Sequence, residues 1–333
     1  MTPALAEPAS RAYDRGMNFF RFAAFLSLAA LAPMPALAWG AVGHRTIATI
    51  AYAEASPATR KAIRALLKHG KELDTPTCKL KTIEDAAVWP DCIKGLGTRF
   101  AFMGAWHYQD ISVCHGFDFA EGCKDDKCVT RQIAVQAALL KDTGLPTADR
   151  VKALALLVHF VGDMHQPLHV GEKADRGGNS VRVEYLGTGG AQMNLHRIWD
   201  SELAEAAVRQ KPKLGRRSVT PAQREQWRAA GDGPDAVVAW ARESWAASRE
   251  IVYGKLVGYP NSCEVPAAPT GLTPAEEAVA NAIGQVAAST LGPVAVVDQS
   301  YVDAAVPVVR ERIEAAGVRL GMLLDDTMSP VER

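Results

Sequence analysis

No charge of either sign prevails in this chain of 333 residues: Lys and Arg number 37, and so do Asp and Glu. A neutral chain sets up no overall field that would draw it to a nucleic-acid backbone or an anionic membrane, so any attraction for phosphate must be local. Internal repeats, heptads and long linkers are also missing, which leaves one folded domain as the simplest organisation. Beyond the N-terminus there is no long apolar run. The run within "MNFFRFAAFLSLAALAPMPALA" is too short and too rich in alanine for a membrane span. With Arg21 ahead of the apolar residues and Ala36-Leu37-Ala38 behind them, it reads as a secretory signal cleaved after Ala38. The residues before Met17 are polar and foreign to a signal, which makes Met17 a candidate start. The expected product is a domain of residues 39–333, secreted or periplasmic, without a membrane span.

Cysteine is scarce but even in number. Cys78, Cys92, Cys114, Cys123, Cys128 and Cys263 all follow the cleavage site. In an exported chain an even count reads as disulfides, although sequence alone leaves the pairing open.

Most of the remaining chain reads as helix. "SPATRKAIRALLKHG" offers Ser56 as cap, Pro57 at the first helical position and Gly70 as a stop. "TPAQ" from Thr220 and "TPAE" from Thr273 are capping boxes with proline at the first helical position. "PDAVVAWARESWAASREIVYG" and "YVDAAVPVVRERIEAAGVRLGMLL" place apolar residues at helical spacing. "NSVRVEYLGTGGAQMNLH" alternates apolar and polar residues and turns at Gly189-Gly190, which predicts a small β-hairpin. The Pro-rich piece from Pro260 to Pro274 reads as a loop. An all-α domain with one hairpin is expected.

Histidine numbers only 8, yet three of these residues stand in "HFVGDMHQPLH", which runs from His159 to His169. "TADRVKALALLVHFVGDMHQP" predicts a helix from near Thr147, ended by Pro167. His159 and Asp163 fall one turn apart on one face, and His165 points elsewhere. Alone, such a pair is as readily a surface hydrogen bond. The spacing recurs, however, in "NLHRIWDSEL", where His196 and Asp200 are again four apart. Two such pairs, with His169, supply imidazole and carboxylate ligands suited to zinc. Asp91 in "AVWPDCIK" and His107 in "GAWHYQD" are weak signals singly. His44 lies close behind the cleavage site, and a freed Trp39 amine would lose its proton readily enough to bind metal through backbone atoms.

These motifs together resemble the secreted trinuclear-zinc nucleases of fungi and plants, the single-strand nuclease/3′-nucleotidase family that shares a fold with bacterial zinc phospholipase C. The resemblance rests on "WG…GH", W-P-D-x-I-K, W-H-Y, H-F-x-G-D-x-H-Q-P-L-H and N-L-H-x-x-W-D, in that order, with "WARES" and "PVVRERIEAAGVRL" beyond them. It implies three zinc ions. Asp91, His107, His159 and Asp163 would hold one, and His169, His196 and Asp200 the second. Trp39 (amine and carbonyl), His44 and Asp163 would hold the third, with Asp163 shared. Lys94 stands where the family often has arginine and would meet phosphate. Tyr108 stands where an aromatic stacks on a base, Asp110 where a side chain touches a base edge, and Asn194 where one bonds substrate or ligand. His69, His115 and His165 match no ligand position. The resemblance also implies Cys123–Cys128 and Cys114–Cys263 disulfides, leaving Cys78 and Cys92 free to pair with each other.

The activity implied is hydrolysis of single-stranded DNA or RNA to 5′-phosphorylated nucleotides, with 3′-nucleotidase activity. The nucleophile would be a zinc-bound hydroxide oriented by Asp91. Single-stranded nucleic acid and 3′-nucleotides are the only partners implied. Two alternatives are a zinc phospholipase C acting on lipid head groups and a periplasmic zinc-binding protein without catalysis. The first needs a lipid-facing apolar rim that the sequence does not show. The second fits a His-rich tract, whereas the ligands here are dispersed.

Overall fold

A computed structural model describes residues 39–188, 193–229, 231, 233–259, 263 and 294–328. Ten helices carry the described part: α1 (Ala41–Glu54), α2 (Pro57–Leu67), α3 (Ile83–Lys94), α4 (Val129–Lys141), α5 (Thr147–Met164), α6 (Leu195–Arg197), α7 (Ala204–Arg209), α8 (Pro221–Ala229), α9 (Pro234–Ala247) and α10 (Gln299–Met328). Their starts follow from local chemistry. Ser56 Oγ accepts from Thr59 N at 3.1 Å, with Pro57 fixing the first helical φ. Thr82 and Asp85 form a reciprocal capping box at α3. Thr220 and Gln223 do the same for α8.

α5 is the central element. Every residue from Ala153 to Met164 is buried, so the helix has no solvent face along that stretch. It packs on α4 and α3, while α1 lies against α10 and α3. Thr147 is its first residue rather than its cap, Pro146 taking the capping position. The chain then turns through His165 and Gln166 into a short 3₁₀ turn, Pro167–His169. His159 and Asp163 are therefore core residues, which removes the reading of a surface pair.

The β-structure is small. β1 (Ile111–Ser112) pairs in parallel with β2 (Gly171–Glu172). The hairpin segment does fold back, with antiparallel bridges Arg182↔Asn194 and Tyr185↔Thr188. Its strand β3 (Arg182–Tyr185) also has a partner that local alternation could not reveal, the parallel strand β4 (Val294–Val297). Gly189-Gly190, the "TPAE" capping box and most of the Pro260–Pro274 loop lie outside the described residues. Two helices differ from simple α periodicity. A π turn, Ile198–Leu203, joins α6 to α7, and another, Ser248–Tyr253, extends α9.

Three disulfides tie loops to this frame: Cys78–Cys92, Cys114–Cys263 and Cys123–Cys128. Among the described residues no helix is long and apolar enough to cross a membrane.

A partly buried ionic network joins α5 to α9 and α10. Arg319 of α10 donates twice to Glu243 of α9, at 2.7 and 2.8 Å, and once to His165 Nε2 at 3.0 Å. His165 Nδ1 donates to Val161 O at 2.8 Å, so the ring is fully used in structure. Burial would raise the Glu243 pKa, but Arg319 and Arg312 outweigh it and hold the carboxyl at about 2. Arg319→Met leaves His165 without its donor and removes a buried charge from Glu243. Because the Glu243 side chain is 38% exposed and keeps Arg312, the expected destabilisation is about 1–2 kcal/mol. Because the Glu243 pKa is depressed, its contribution is present above about 4.5 and is lost as pH falls toward about 2. Melting temperatures followed across that window should fall more steeply for wild type than for Arg319→Met. Parallel curves would show that the network does not act as described.

Candidate metal centre

Two elements bring the first group together. His44 comes from the first turn of α1, and His159 and Asp163 come from α5. Gly162 makes this approach feasible: a Cβ there would lie 2.7 Å from His44 Nδ1. The His44 ring stacks on His159 with centroids 4.2 Å apart. His44 Nε2 lies 3.2 Å from Asp163 Oδ1, yet that oxygen and both ring nitrogens of His44 have no hydrogen-bond partner.

The second group adds Asp91 from α3 and His107 from the end of a 3₁₀ segment, Gly97–His107. His107 Nδ1 is 2.8 Å from Asp163 Oδ2 and 3.0 Å from His159 Nε2. His159 Nε2 lies 3.1 Å from Asp163 Oδ2 and 3.6 Å from Asp91 Oδ1. Lys94, one turn after Asp91, donates to Asp91 Oδ1 at 2.7 Å.

The third group is His169, His196 and Asp200. His196 and Asp200 flank the start of the π turn, with Nε2 and Oδ2 3.3 Å apart. His169 Nε2 and His196 Nε2 face each other at 3.1 Å.

Tautomers decide what these atoms can do. Three imidazoles place Nδ1 on a backbone carbonyl: His159 on Ala87 at 2.7 Å, His169 on His107 at 2.7 Å and His196 on Gly177 at 2.6 Å. A carbonyl only accepts, so each Nδ1 carries the proton and each Nε2 turns a lone pair inward. Between His169 and His196 two lone pairs therefore meet, an arrangement that repels unless a cation sits between them. With the unpartnered atoms of His44 and Asp163, this donor set fits divalent metal.

The electrostatics agree. Burial, aided by the Lys94 charge, lowers the His107 pKa to about 4. Burial likewise holds His169 at about 3 and His196 at about 4, so these rings are neutral. Burial pushes the Asp200 carboxyl well above its usual range, with Asp91 and Asp163 adding to the rise. Burial opposes charge on Asp163 as well, but His159 and His107 outweigh it and hold that carboxyl well below its usual range. His159 differs: burial opposes its charge, but Asp163 and Asp91 outweigh it and raise its pKa. Three neutral imidazoles beside crowded carboxylates are an environment that a bound cation would relieve.

The other residues singled out in the sequence fall around this centre. Trp39 is fully buried, and its carbonyl accepts from His44 N at 3.3 Å. Tyr108 is 40% exposed, which argues against a packing role. Asp110 is largely buried, and burial, Glu172 and Asp175 raise its pKa to about 7. Asn194 spends its Oδ1 on capping α6, accepting from Arg197 N at 2.8 Å, so only its amide nitrogen is left for another contact. His69 and His115 are exposed and outside the three groups.

Sequence reasoning passed over Gln166. Its side chain is fully buried, donates to Asp200 Oδ1 at 2.7 Å and accepts from Leu168 N at 2.6 Å. It thereby fixes both the carboxylate and the turn that delivers His169. Its place between His165 and Pro167 was the available signal.

Comparison with known proteins places the whole described chain. The family model described as S1/P1 Nuclease matches residues 39–329. The chain belongs to the S1/P1 nuclease family. Members of this family are metal-dependent, and the zinc phospholipase C/nuclease-like helical fold is the one seen here. Endonuclease 3 of Arabidopsis thaliana is 32% identical over 180 residues, covering 52% of this chain and 57% of that protein. Nuclease S1 of Aspergillus oryzae is 31% identical over 176 residues, covering 51% and 56%. Nuclease P1 of Penicillium citrinum is 28% identical over 179 residues, covering 51% and 60%. The chain spans about three-fifths of the length of these curated relatives.

Gln166→Leu would strand Asp200 Oδ1 and Leu168 N in the core. Removing an outer partner of this kind costs about 10- to 100-fold in metal affinity. Titration against a competing chelator should show a loss of that size at one metal per chain. Unchanged affinity would return Gln166 to a purely packing role.

Proposed function

We propose that the protein is a secreted zinc-dependent phosphodiesterase that hydrolyses single-stranded DNA or RNA to 5′-phosphorylated nucleotides and dephosphorylates 3′-nucleotides. The observation that carries this reading is the convergence of three buried His/Asp groups in a chain of this family. Asp91, His107, His159 and Asp163 would hold one zinc, His169, His196 and Asp200 the second, and Trp39, His44 and Asp163 the third. Bound zinc would supply a local excess of positive charge and a water acidified to a pKa of about 7. The signal read in residues 1–38, which lie outside the described residues, supports export before the site is complete.

The chain's own groups supply the rest. Lys94 holds Asp91 Oδ1. Asp91, held in this way, would orient the attacking water. Lys94 also offers its remaining N–H groups to the phosphate, as a point charge rather than a fork. Tyr108 presents an exposed ring on which an unstacked base can lie, which favours single strands. Asp110 and the Asn194 amide nitrogen stand by for base or sugar contacts. Neither the phospholipase reading nor the non-catalytic one gains a supporting observation.

Trp39 gives the reading a sharp consequence. While Ala38 is attached, the Trp39 nitrogen is an amide whose lone pair is delocalised into the peptide bond. Cleavage turns it into an amine that can bind metal.

Purified mature protein should hydrolyse single-stranded DNA, RNA and 3′-nucleotides, spare phosphatidylcholine, and lose both activity and thermal stability to a chelator. Full activity in excess chelator would overturn the metal-dependent reading, and turnover of phosphatidylcholine alone would overturn the substrate. A mature chain with one extra methionine before Trp39 should bind about two zinc ions rather than three, one coordination site being lost. Wild-type zinc content in that protein would remove Trp39 from the ligand set.

A further inference from the structure

Past β2 the backbone takes a conformation that most residues avoid. Ala174 (φ 55°), Arg176 (φ 62°), Gly177 (φ 59°) and Gly178 (φ 80°) are all left-handed, and two of them are not glycine. Such residues stay there only when their surroundings hold them, and they gather at functional sites. Here the clamp is Asp175. Its Oδ1 accepts from Tyr253 Oη and from Gly178 N, both at 2.8 Å, and its Oδ2 from Tyr259 Oη at 3.1 Å. Asp175 N in turn donates to Glu172 Oε2 at 3.0 Å.

The clamp doubles the chain back toward the metal centre. A Cβ on Gly177 would lie 2.4 Å from Leu168 O and 3.4 Å from His196 Nδ1, so only glycine fits. The residue after Leu168, His169, accepts through its carbonyl from Gln109 N at 2.8 Å. Arg176 is thus returned to the level of Tyr108 and Asp110, one residue from the carbonyl that orients His196. Its side chain is exposed and has no hydrogen-bond or ion-pair partner among the described residues. The Arg176 charge is felt at Tyr108 and Asp110, where that of Lys94 is not, and both charges reach His196. Lys94 is spent in part on Asp91, whereas Arg176 is exposed on the Tyr108 and Asp110 side.

We propose that Arg176 is a specificity-determining residue that binds the backbone phosphate next to the scissile one, favouring polynucleotides over mononucleotides. A planar guanidinium free of partners suits a phosphate oxygen pair. The strained loop is then the device that presents it. The inference rests on the phosphodiesterase reading above and adds to it a second phosphate site.

The test compares wild type, Arg176→Asn and Arg176→Lys on a single-stranded oligonucleotide and on a nucleoside 3′-monophosphate, which lacks the second phosphate. Asparagine tolerates the left-handed backbone, so it removes the charge without adding strain. For Arg176→Asn the oligonucleotide KM should rise about tenfold, as for loss of a hydrogen bond to a charged group. The slope of log(kcat/KM) against log salt should shallow by about 0.7, the loss of one single-strand phosphate contact. The monophosphate KM should stay at the wild-type value, and Arg176→Lys should restore the salt slope. Equal losses on both substrates would make the loop merely structural and overturn the inference, as would an unchanged oligonucleotide KM and slope. Wild-type protein inactive on both substrates would overturn the proposed function and this inference together.

Discussion

Asp163 is a fully buried carboxylate with three imidazoles around it, at 2.8 Å from His107, 3.1 Å from His159 and 3.2 Å from His44. A charge in that position is tolerable only if the surrounding partners are held in place, because burial alone would neutralise it. The architecture reads as the means of holding them. α5 must run through the centre of the molecule to bury Asp163. α1 must come close enough for His44, which Gly162 permits. α3 must bring Asp91 and Lys94 to the same end, with Cys78–Cys92 tying its approach. The chain after α5 must turn at once to deliver His169, and Gln166 and His165 secure that turn from opposite sides.

The same constraint explains how a neutral chain can recognise an anion. At this buried cluster His107, His169 and His196 are driven neutral and carboxylates are crowded. Field at such a place comes from whatever cation is bound and from the few side chains aimed at the cleft, rather than from net charge. On the reading proposed above, Lys94 and Arg176 are those side chains.

Much of this was legible before the fold was known, for identifiable reasons. The His-x-x-x-Asp spacings in α5 and at the start of α6 are local, and helix geometry converts them directly into shared faces. Capping at Ser56 and Thr220 is equally local. That Asp91, His107 and the α5 pair share one site could not be read from spacing; the family resemblance implied it, as it implied the Cys114–Cys263 and Cys123–Cys128 pairings. What stayed hidden depends on distant partners. The pairing of β3 with β4 joins segments more than a hundred residues apart. The π turn after His196 departs from the 3.6-residue period on which the reading of helices rests. His165, turned away from the metal groups as expected, proves to be a structural ligand of Arg319, a residue of α10 that no motif connects to it. Asn194 looked like a contact residue and is half committed to capping.

The central claim is that three metal ions sit around Asp163 and in the His169/His196/Asp200 group. Anomalous diffraction at the zinc edge from crystals of the mature protein tests it most directly. Three peaks are expected: one between Asp163 and His44 beside the Trp39 amine, one among Asp91, His107, His159 and Asp163, and one between His169, His196 and Asp200. Peaks elsewhere, or none at Asp163, would contradict the account.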